Sequence, residues 1–498
     1  MSMEQERSYA ESLSETPSVL RYSDMIKVGT PIADTQIHTL IPSNGGTFQP
    51  NQQIRIPFNI PTDTFANLKG AYLNYKITNA TTATANAVND VAQPLYLDPV
   101  VGGAGVIDTW RVISGTGALL EEIQHYSVVY GVCADMVSAD HRGSHLSIME
   151  RSSQLPFNSV PAGGLVDTGA NTNGLSMGQA TDSNAMKAQR ATSRIGSGAN
   201  QSFTHKPMSG LFNADRLAPL GFATGTSYIE ITLPSVNNPF LVATTDETNN
   251  AHALTNVVVS WTISDIELVI PVLRMGSEFN ASFRQLLSAG VPINWHSTSW
   301  HNIQSTITSG ASTTTTMSAR KRSVKSIISA IRKTTDSTDK NVDSNTCRRS
   351  GGITSWNYQV GGVQYPAKDI KQSENMAYDA GATGQNIGQT FAQLQNCFAN
   401  LGNIYTGTCM NAVNFIGAND NTHSSKVAYG LDLEAYGHSD VQSGKNLANQ
   451  GLPIVFNCNA SANNGGLIQA GNTSLDTFLM YDVIYTLDGV SGTISASS

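Results

Sequence analysis

From Ile54 to Ile60 every second residue is apolar. Ile54, Ile56, Phe58 and Ile60 fall on one side, and Arg55, Pro57 and Asn59 on the other. A period of two marks an extended strand buried on one face, whereas an amphipathic helix would repeat every 3.6 residues or so. Ala71, Leu73, Tyr75 and Ile77 repeat the pattern opposite Tyr72, Asn74, Lys76 and Thr78. The same reading predicts strands at Ile107–Ile113, Tyr228–Leu233 and Val257–Val272, the last with an acidic interruption at Asp265. The first half of the chain is therefore expected to be mainly antiparallel β structure.

At 498 residues the chain is longer than one hydrophobic core usually holds, about 250–300 residues, so two domains of similar size are expected. Strand signals resume at 301–309, 324–333, 356–360, 426–434 and 478–487. Gly361 and Gly362, which adopt positive φ readily, are expected to turn the chain from Trp356–Val360 into Val363–Tyr365. Helical spacing is rare. Ile123, Tyr126, Tyr130, Cys133 and Val137 predict a helix from about Glu121. Ser277–Ala289 predicts one capped by Ser277 and stopped by Gly290, and Thr390–Leu401 another, ended by Gly402. Each half thus reads as strands, one helix, then more strands.

Hydrophobic residues make up 40% and charged residues 13% of the chain. Ser, Thr, Asn and Gly take the place of the Lys and Glu that coat exposed helices. The net charge is −8, and the opening segment MSMEQERSYAESLSETPSVLRYSDMIKVG has no basic run. That speaks against direct nucleic-acid binding, which needs clustered cations. The segment also lacks a signal-peptide core, and no apolar stretch reaches the roughly 18 residues of a membrane helix. Synthesis in the cytosol is expected. The five cysteines, Cys133, Cys347, Cys397, Cys409 and Cys458, form no CxxC pair and are expected to be reduced and structural.

The order of these features, with several local phrases, resembles the hexon-like, double-jelly-roll major capsid proteins of double-stranded DNA viruses, nearest to those of polinton-like viruses, adintoviruses and virophages. The phrases are SNGGTFQPNQQIRIPF (43–58), FANLKGAYLNYKITN (65–79), IDTWRVISGTGALLEEIQHYSVVY (107–130), MSGLFNADRLAPLGF (208–222), YIEITL (228–233), SARKRSVKSIISAIR (318–332), YQVGGVQYPAKDI (358–370) and VAYGLDLEAYGHSDVQSGKN (427–446). The resemblance implies an all-β chain of two tandem antiparallel jelly-roll sandwiches, each of about eight strands, with a few short helices in loops and a linker helix. The implied division is an N-terminal arm (1–29), a first jelly roll (30–272) with a Gly/Ser-rich loop (160–201), a linker helix (273–292) and a second jelly roll (293–498). It implies trimerisation into pseudo-hexameric capsomers and self-assembly into an icosahedral shell. The implied partners are two further copies, neighbouring capsomers and minor capsid or penton proteins, and the implied location is the virion.

The chemistry-bearing residues have ordinary alternatives. The basic run Arg320, Lys321, Arg322, Lys325, Arg332 and Lys333, with Arg348 and Arg349 nearby, could face a genome or inner layer, or be a solvated strand edge. Asp140, His141 and His145 form an HxxxH without an evident third metal ligand, so a loop or capping role is the plainer reading. Strand alternation would place Asp432 and Glu434, near His438 and Asp440, on one face for a cation; a solvated strand end is the alternative. The N-terminal residues Leu13, Val19, Leu20, Tyr22, Met25 and Ile26 suggest an arm under a neighbour rather than a frayed end. The five N-x-S/T sequons, at Asn79, Asn200, Asn280, Asn459 and Asn472, read as chance. No nucleophile elbow, P-loop or dinucleotide fingerprint is present. No catalytic residue, metal site or cofactor is expected, and the chain reads as non-enzymatic. The rival readings are a carbohydrate-binding or adhesin β-sandwich, a jelly-roll metalloenzyme, and a single-jelly-roll capsid protein with a projecting domain.

Overall fold

The computed structural model of the chain describes residues 32–84, 90–98, 100–138, 141–152, 194–242, 256–307, 312–334, 340, 348–349, 351–372, 387–398, 408, 410, 415, 426–434, 443–448, 453–460 and 473–498. The proposed arm, most of the Gly/Ser-rich loop, Asp140, His438, Asp440, Cys347, Cys409 and Asn472 lie outside these residues.

Sixteen strands carry the architecture. In the first half they are β1 (Ile32–Leu40), β2 (Gln53–Pro57), β3 (Tyr72–Asn79), β4 (Thr109–Ile113), β5 (Leu119–Ile123), β6 (Asn200–His205), β7 (Tyr228–Thr232) and β8 (Trp261–Met275). In the second half they are β9 (Ile293–Thr306), β10 (Ser312–Ser318), β11 (Val324–Lys333), β12 (Ile353–Val360), β13 (Val363–Lys371), β14 (Tyr429–Asp432), β15 (Pro453–Ala460) and β16 (Thr473–Leu487). The first half forms sheets ordered β1-β8-β3-β6 and β5-β4-β7-β2, all antiparallel. The second forms β9-β16-β11-β14 and β10-β15-β12-β13. Adding eight to each first-half number reproduces the second pair of sheets. Each half is an eight-stranded jelly roll, in which successive strands alternate between two facing sheets except at the hairpins β4–β5 and β12–β13, whose strands are neighbours in one sheet.

Alternation supplies the cores. Ile54 and Ile231 from one sheet and Leu73, Tyr75 and Ile263 from the other line a single small void between the layers. In the second sandwich Trp356, Tyr358 and Phe456 of one sheet cluster with Tyr429 of the other, at centroid separations of 5.1 to 5.8 Å. Gly361 and Gly362 take φ of +62° and +81° and join β12 to β13. Asp265, with φ of +51°, sits where the β8–β3 register shifts, so the acidic interruption is a bulge.

The longest helices among the described residues are α1 (Tyr126–Asp135), α2 (Ser277–Ser288) and α3 (Gly388–Asn396). α1 and α3 each follow the fifth strand of their sandwich, and α2 lies between β8 and β9. None of the described helices is long and apolar enough to cross a membrane.

Several sequence expectations need correction. Glu121 and Ile123 belong to strand β5, paired with β4, and α1 starts only at Tyr126 after His125 turns through φ of +49°. Helical spacing continued across the strand because Ile123 and Tyr126 both point into the core. Ser277 is the first helical residue of α2, and Gly276 holds the cap position without a side-chain hydrogen bond. The expected loop 160–201 ends earlier, since Arg194–Ile195 pairs with Leu95–Tyr96 and Asn200 opens β6.

Candidate assembly surfaces

The two sandwiches share one continuous hydrophobic cluster, and polar groups lock the seam between them. Glu121 on β5 is 2% exposed. Its carboxylate accepts hydrogen bonds from the Gly210 amide (2.6 Å), the Leu211 amide (3.4 Å), the Ser209 hydroxyl and, across the seam, the Ser299 hydroxyl on β9. Gly210 is required for this approach. A Cβ there would lie 2.9 Å from the Ser299 Cβ and 3.0 Å from both the Thr298 carbonyl and the Tyr485 hydroxyl. On β9 the residues that face the seam, Trp295, Ser297 and Ser299, are all buried.

A second lock sits at the end of α1. Asp135 of the first half takes Arg348 of the second at 2.6 Å and Arg142 at 3.3 Å, with all three side chains at most 2% exposed. Thr408 donates its hydroxyl to the Asp135 carbonyl at 2.6 Å, and Arg348 also reaches the Lys426 carbonyl at 2.7 Å. Burial alone would raise the Asp135 carboxyl. The cations of Lys426, Arg348 and Arg142 outweigh burial and hold it below the usual carboxylate range.

Near this seam, His125 faces Asp108 at 3.5 Å. The hydrogen bond to Asp108 is the main cause that raises the His125 pKa; burial opposes it, and the charges of Asp476 and Asp108 add to it against that of Arg332. Backbone bonds complete the join: Val242 N–H to the Lys340 carbonyl (2.9 Å) and Thr224 N–H to the Gly492 carbonyl (2.7 Å).

The basic run dissolves in three dimensions. Arg320 and Arg322 are exposed, and Lys321 lies over the Tyr481 ring at 4.0 Å. Lys325 is buried between Glu434 (3.1 Å) and Asp482 (3.3 Å), Arg332 pairs with Asp476 at 2.9 Å, and Arg348 holds Asp135. Three of the eight cations, Lys325, Arg332 and Arg348, are thus held in internal ion pairs. Asp432 and Glu434 do not share a strand face, because β14 ends at Asp432, whose carboxylate accepts the Glu434 amide at 3.0 Å. The His141 and His145 rings stack 5.0 Å apart, and among the described residues no three His, Cys, Asp or Glu side chains converge as a metal site would require. Cys133 and Cys458 are free thiols pushed up to about 12 by burial. The Asn79 amide is buried and donates to the Gln93 and Ile195 carbonyls at 2.9 Å each, so that sequon is structural.

What remains for binding is surface. Exposed large apolar side chains stand on β1 and just after it (Ile37, Ile41), at the start of β13 (Val363), and on or beside α2 (Phe279, Leu286, Val291, Val490). Sequence reasoning missed β1 altogether. The hub at Glu121 was missed too, because the apolar spacing from Ile123 onward made Glu121 read as the first residue of a helix.

No protein-family model and no curated protein matches this sequence. The fold does have solved counterparts. The mavirus major capsid protein is 12% identical, with 97% of this chain and 95% of that one covered at a TM-score of 0.51. The Faustovirus major capsid protein is 10% identical, with 94% of each chain covered at 0.52. A chain of the Sputnik virophage is 11% identical, covering 97% and 92% at 0.52. With the same strand order in both halves and a match over nearly its whole length, this chain has the double-jelly-roll fold of viral major capsid proteins.

Proposed function

We propose that this chain is the major capsid protein of a DNA virus: a non-enzymatic subunit, without cofactor or metal, that trimerises into a pseudo-hexameric capsomer and tiles an icosahedral shell. In this reading residues 1–29 form an arm, 30–272 and 293–498 the two jelly rolls, and 273–292 their linker. The observation that carries it is the fusion of two sandwiches of identical strand order through a buried, ion-paired seam. Three such chains present six similar sandwiches, as a near-hexagonal tile needs. The partners are two further copies, neighbouring capsomers and minor or penton proteins at special positions. The protein is made in the host cytosol and resides in the virion. The net charge of −8, with Lys325, Arg332 and Arg348 of the basic run held in internal pairs, supports a wall role over direct genome binding.

Native mass measurement with negative-stain imaging tests the proposal. Trimers or larger shells are expected. A stable monomer with saturable glycan or metal binding would overturn it and favour the adhesin or metalloenzyme readings.

A further inference from the structure

One buried cation differs in kind from the arginines. At Asp135 and Asp476 the partner is a guanidinium, which keeps its proton and does not act as a nucleophile. Lys325 carries an amine, which becomes nucleophilic once it gives up a proton. It lies 3.1 Å from Glu434 Oε1 and 3.3 Å from Asp482 Oδ1, and the side chains of Lys325, Glu434 and Asp482 are only 6%, 1% and 4% exposed.

The backbone brings these three groups together. The β11–β16 register shifts between Val324 and Ser326, so Lys325 is the extra residue of a bulge. On its other side Ser326 stands opposite Asp432, and the Leu433 N–H donates to the Lys325 carbonyl at 2.7 Å. That bond carries Glu434, just past the end of β14, to the amine. The Asp482 N–H donates to the Ser323 carbonyl at 3.0 Å, and the Ser323 hydroxyl donates to Asp482 Oδ2 at 2.7 Å. Residues 443–445 close the site. The Ser443 hydroxyl donates to Glu434 Oε1 at 2.9 Å, and the Gly444 amide donates to Ser323 Oγ at 3.1 Å. Val324 and Lys445 exchange backbone hydrogen bonds of 2.8 and 2.9 Å. A Cβ at Gly444 would stand 2.5 Å from the Val324 carbonyl and 2.9 Å from the Lys325 nitrogen, so this close approach requires glycine.

We propose that Lys325 and Asp482 join in an isopeptide bond, formed once per chain, with Glu434 as the proton carrier. The Lys325 ammonium passes a proton by way of Glu434 to Asp482 Oδ1, which sets an amine beside a carboxylic acid. The nitrogen lone pair attacks Asp482 Cγ and forms the N–C bond. Negative charge gathers on Oδ2, where the Ser323 hydroxyl already donates. Glu434 takes a second proton from the nitrogen and hands it to Oδ1; the Cγ–Oδ1 bond breaks, and Oδ1 leaves with both protons as water. One hydrogen stays on the amide nitrogen, Glu434 ends as the carboxylate it began, and no oxidant or further reactant is consumed. The site favours the step twice over. Fixed geometry replaces an encounter, and a neutral amide replaces two charges that are costly to hold away from water. The product ties β11 to β16 covalently. It requires only one folded chain and does not rest on the capsomer reading.

Mass spectrometry of the full chain, folded and then denatured, tests the bond. The wild type is expected to be lighter than its sequence by one water, and proteolysis is expected to release a branched peptide joining Lys325 to Asp482. Glu434→Gln keeps the shape of the side chain but cannot carry the proton, so it is expected at its full sequence mass. Asp482→Asn is expected to lose ammonia instead of water and to reach the same mass as the linked wild type, because the same amide results; a purely structural ion pair would give no such coincidence. A wild type at full sequence mass, or one linked through Glu434, overturns the proposal whether or not the variants fold. A Glu434→Gln chain that still loses water overturns the role given to Glu434.

Discussion

β8 and β16 occupy the same place in their sandwiches and are each 15 residues long, yet they live in different surroundings. β16 is buried along nearly its whole length on both faces. β8 alternates, with Thr262, Ser264, Asp265 and Glu267 partly or fully open. The flanking strands differ in the same sense: β9 hides Trp295 and Ser299, whereas β1 shows Thr35, Ile37 and Thr39. Topology is thus shared, and burial is decided by the neighbour. A sandwich of this kind is complete as a fold with one sheet face wet, and the second face becomes a core only when another sandwich covers it.

Substitutions on the two sides should separate accordingly. The largest effect is expected from Asp135→Ala, which removes the buried carboxylate that pairs with both Arg142 and Arg348. A loss of about 3–5 kcal/mol in chemical denaturation is expected, and a loss under about 1 kcal/mol would mean the seam opens without it. Glu121→Ala leaves two hydroxyls and two amides without their acceptor, for a loss of roughly 2–3 kcal/mol. Gly210→Val forces a side chain against Ser299, Thr298 and Tyr485, and about 1–3 kcal/mol is expected from overpacking. On the open side, Asp265→Ser removes the exposed pair with Lys76 (2.5 Å) and should change the stability of a single chain by less than about 1 kcal/mol. Equal effects on the two sides would refute the contrast between β16 and β8.

Acid and base should also act at the seam. Asp135 has a folded pKa below its unfolded one, so its contribution is present above about pH 4 and is lost as pH falls through the lower folded value. His125 behaves oppositely. Its folded pKa is raised, so the stabilisation is complete below about pH 6.5 and disappears as pH rises through the folded value. His125→Asn should flatten that alkaline limb in a series of melts by a few tenths of a kcal/mol, since the ring is partly exposed. An unchanged limb would assign the loss to another group.

Legibility followed one-sided burial. β2, β3, β7 and β12 were visible because one face of each meets a core and the other meets solvent. β10 (STTTTMS) and β6 (NQSFTH) were invisible, because threonine suits a strand but a run of polar residues gives no apolar period. β5 was read as the head of a helix since its apolar residues run on into α1 in register. The Gly361-Gly362 hairpin and the Gly290 helix stop were readable because positive φ selects glycine. None of the seam was readable. Asp135 and Arg142 carried no sequence signal, Glu121 was read as a helix start, and Arg348 was grouped with a basic run that could be one patch.

By itself the sequence determined that the chain is built of half-buried antiparallel strands in two successive sets, because a period of two records which side of each strand meets its own core. Only the tertiary structure decided which outer faces are covered and which charges are internal. Those depend on partners far apart in sequence, and a side chain carries no mark of whether the surface it faces will be water or another sandwich.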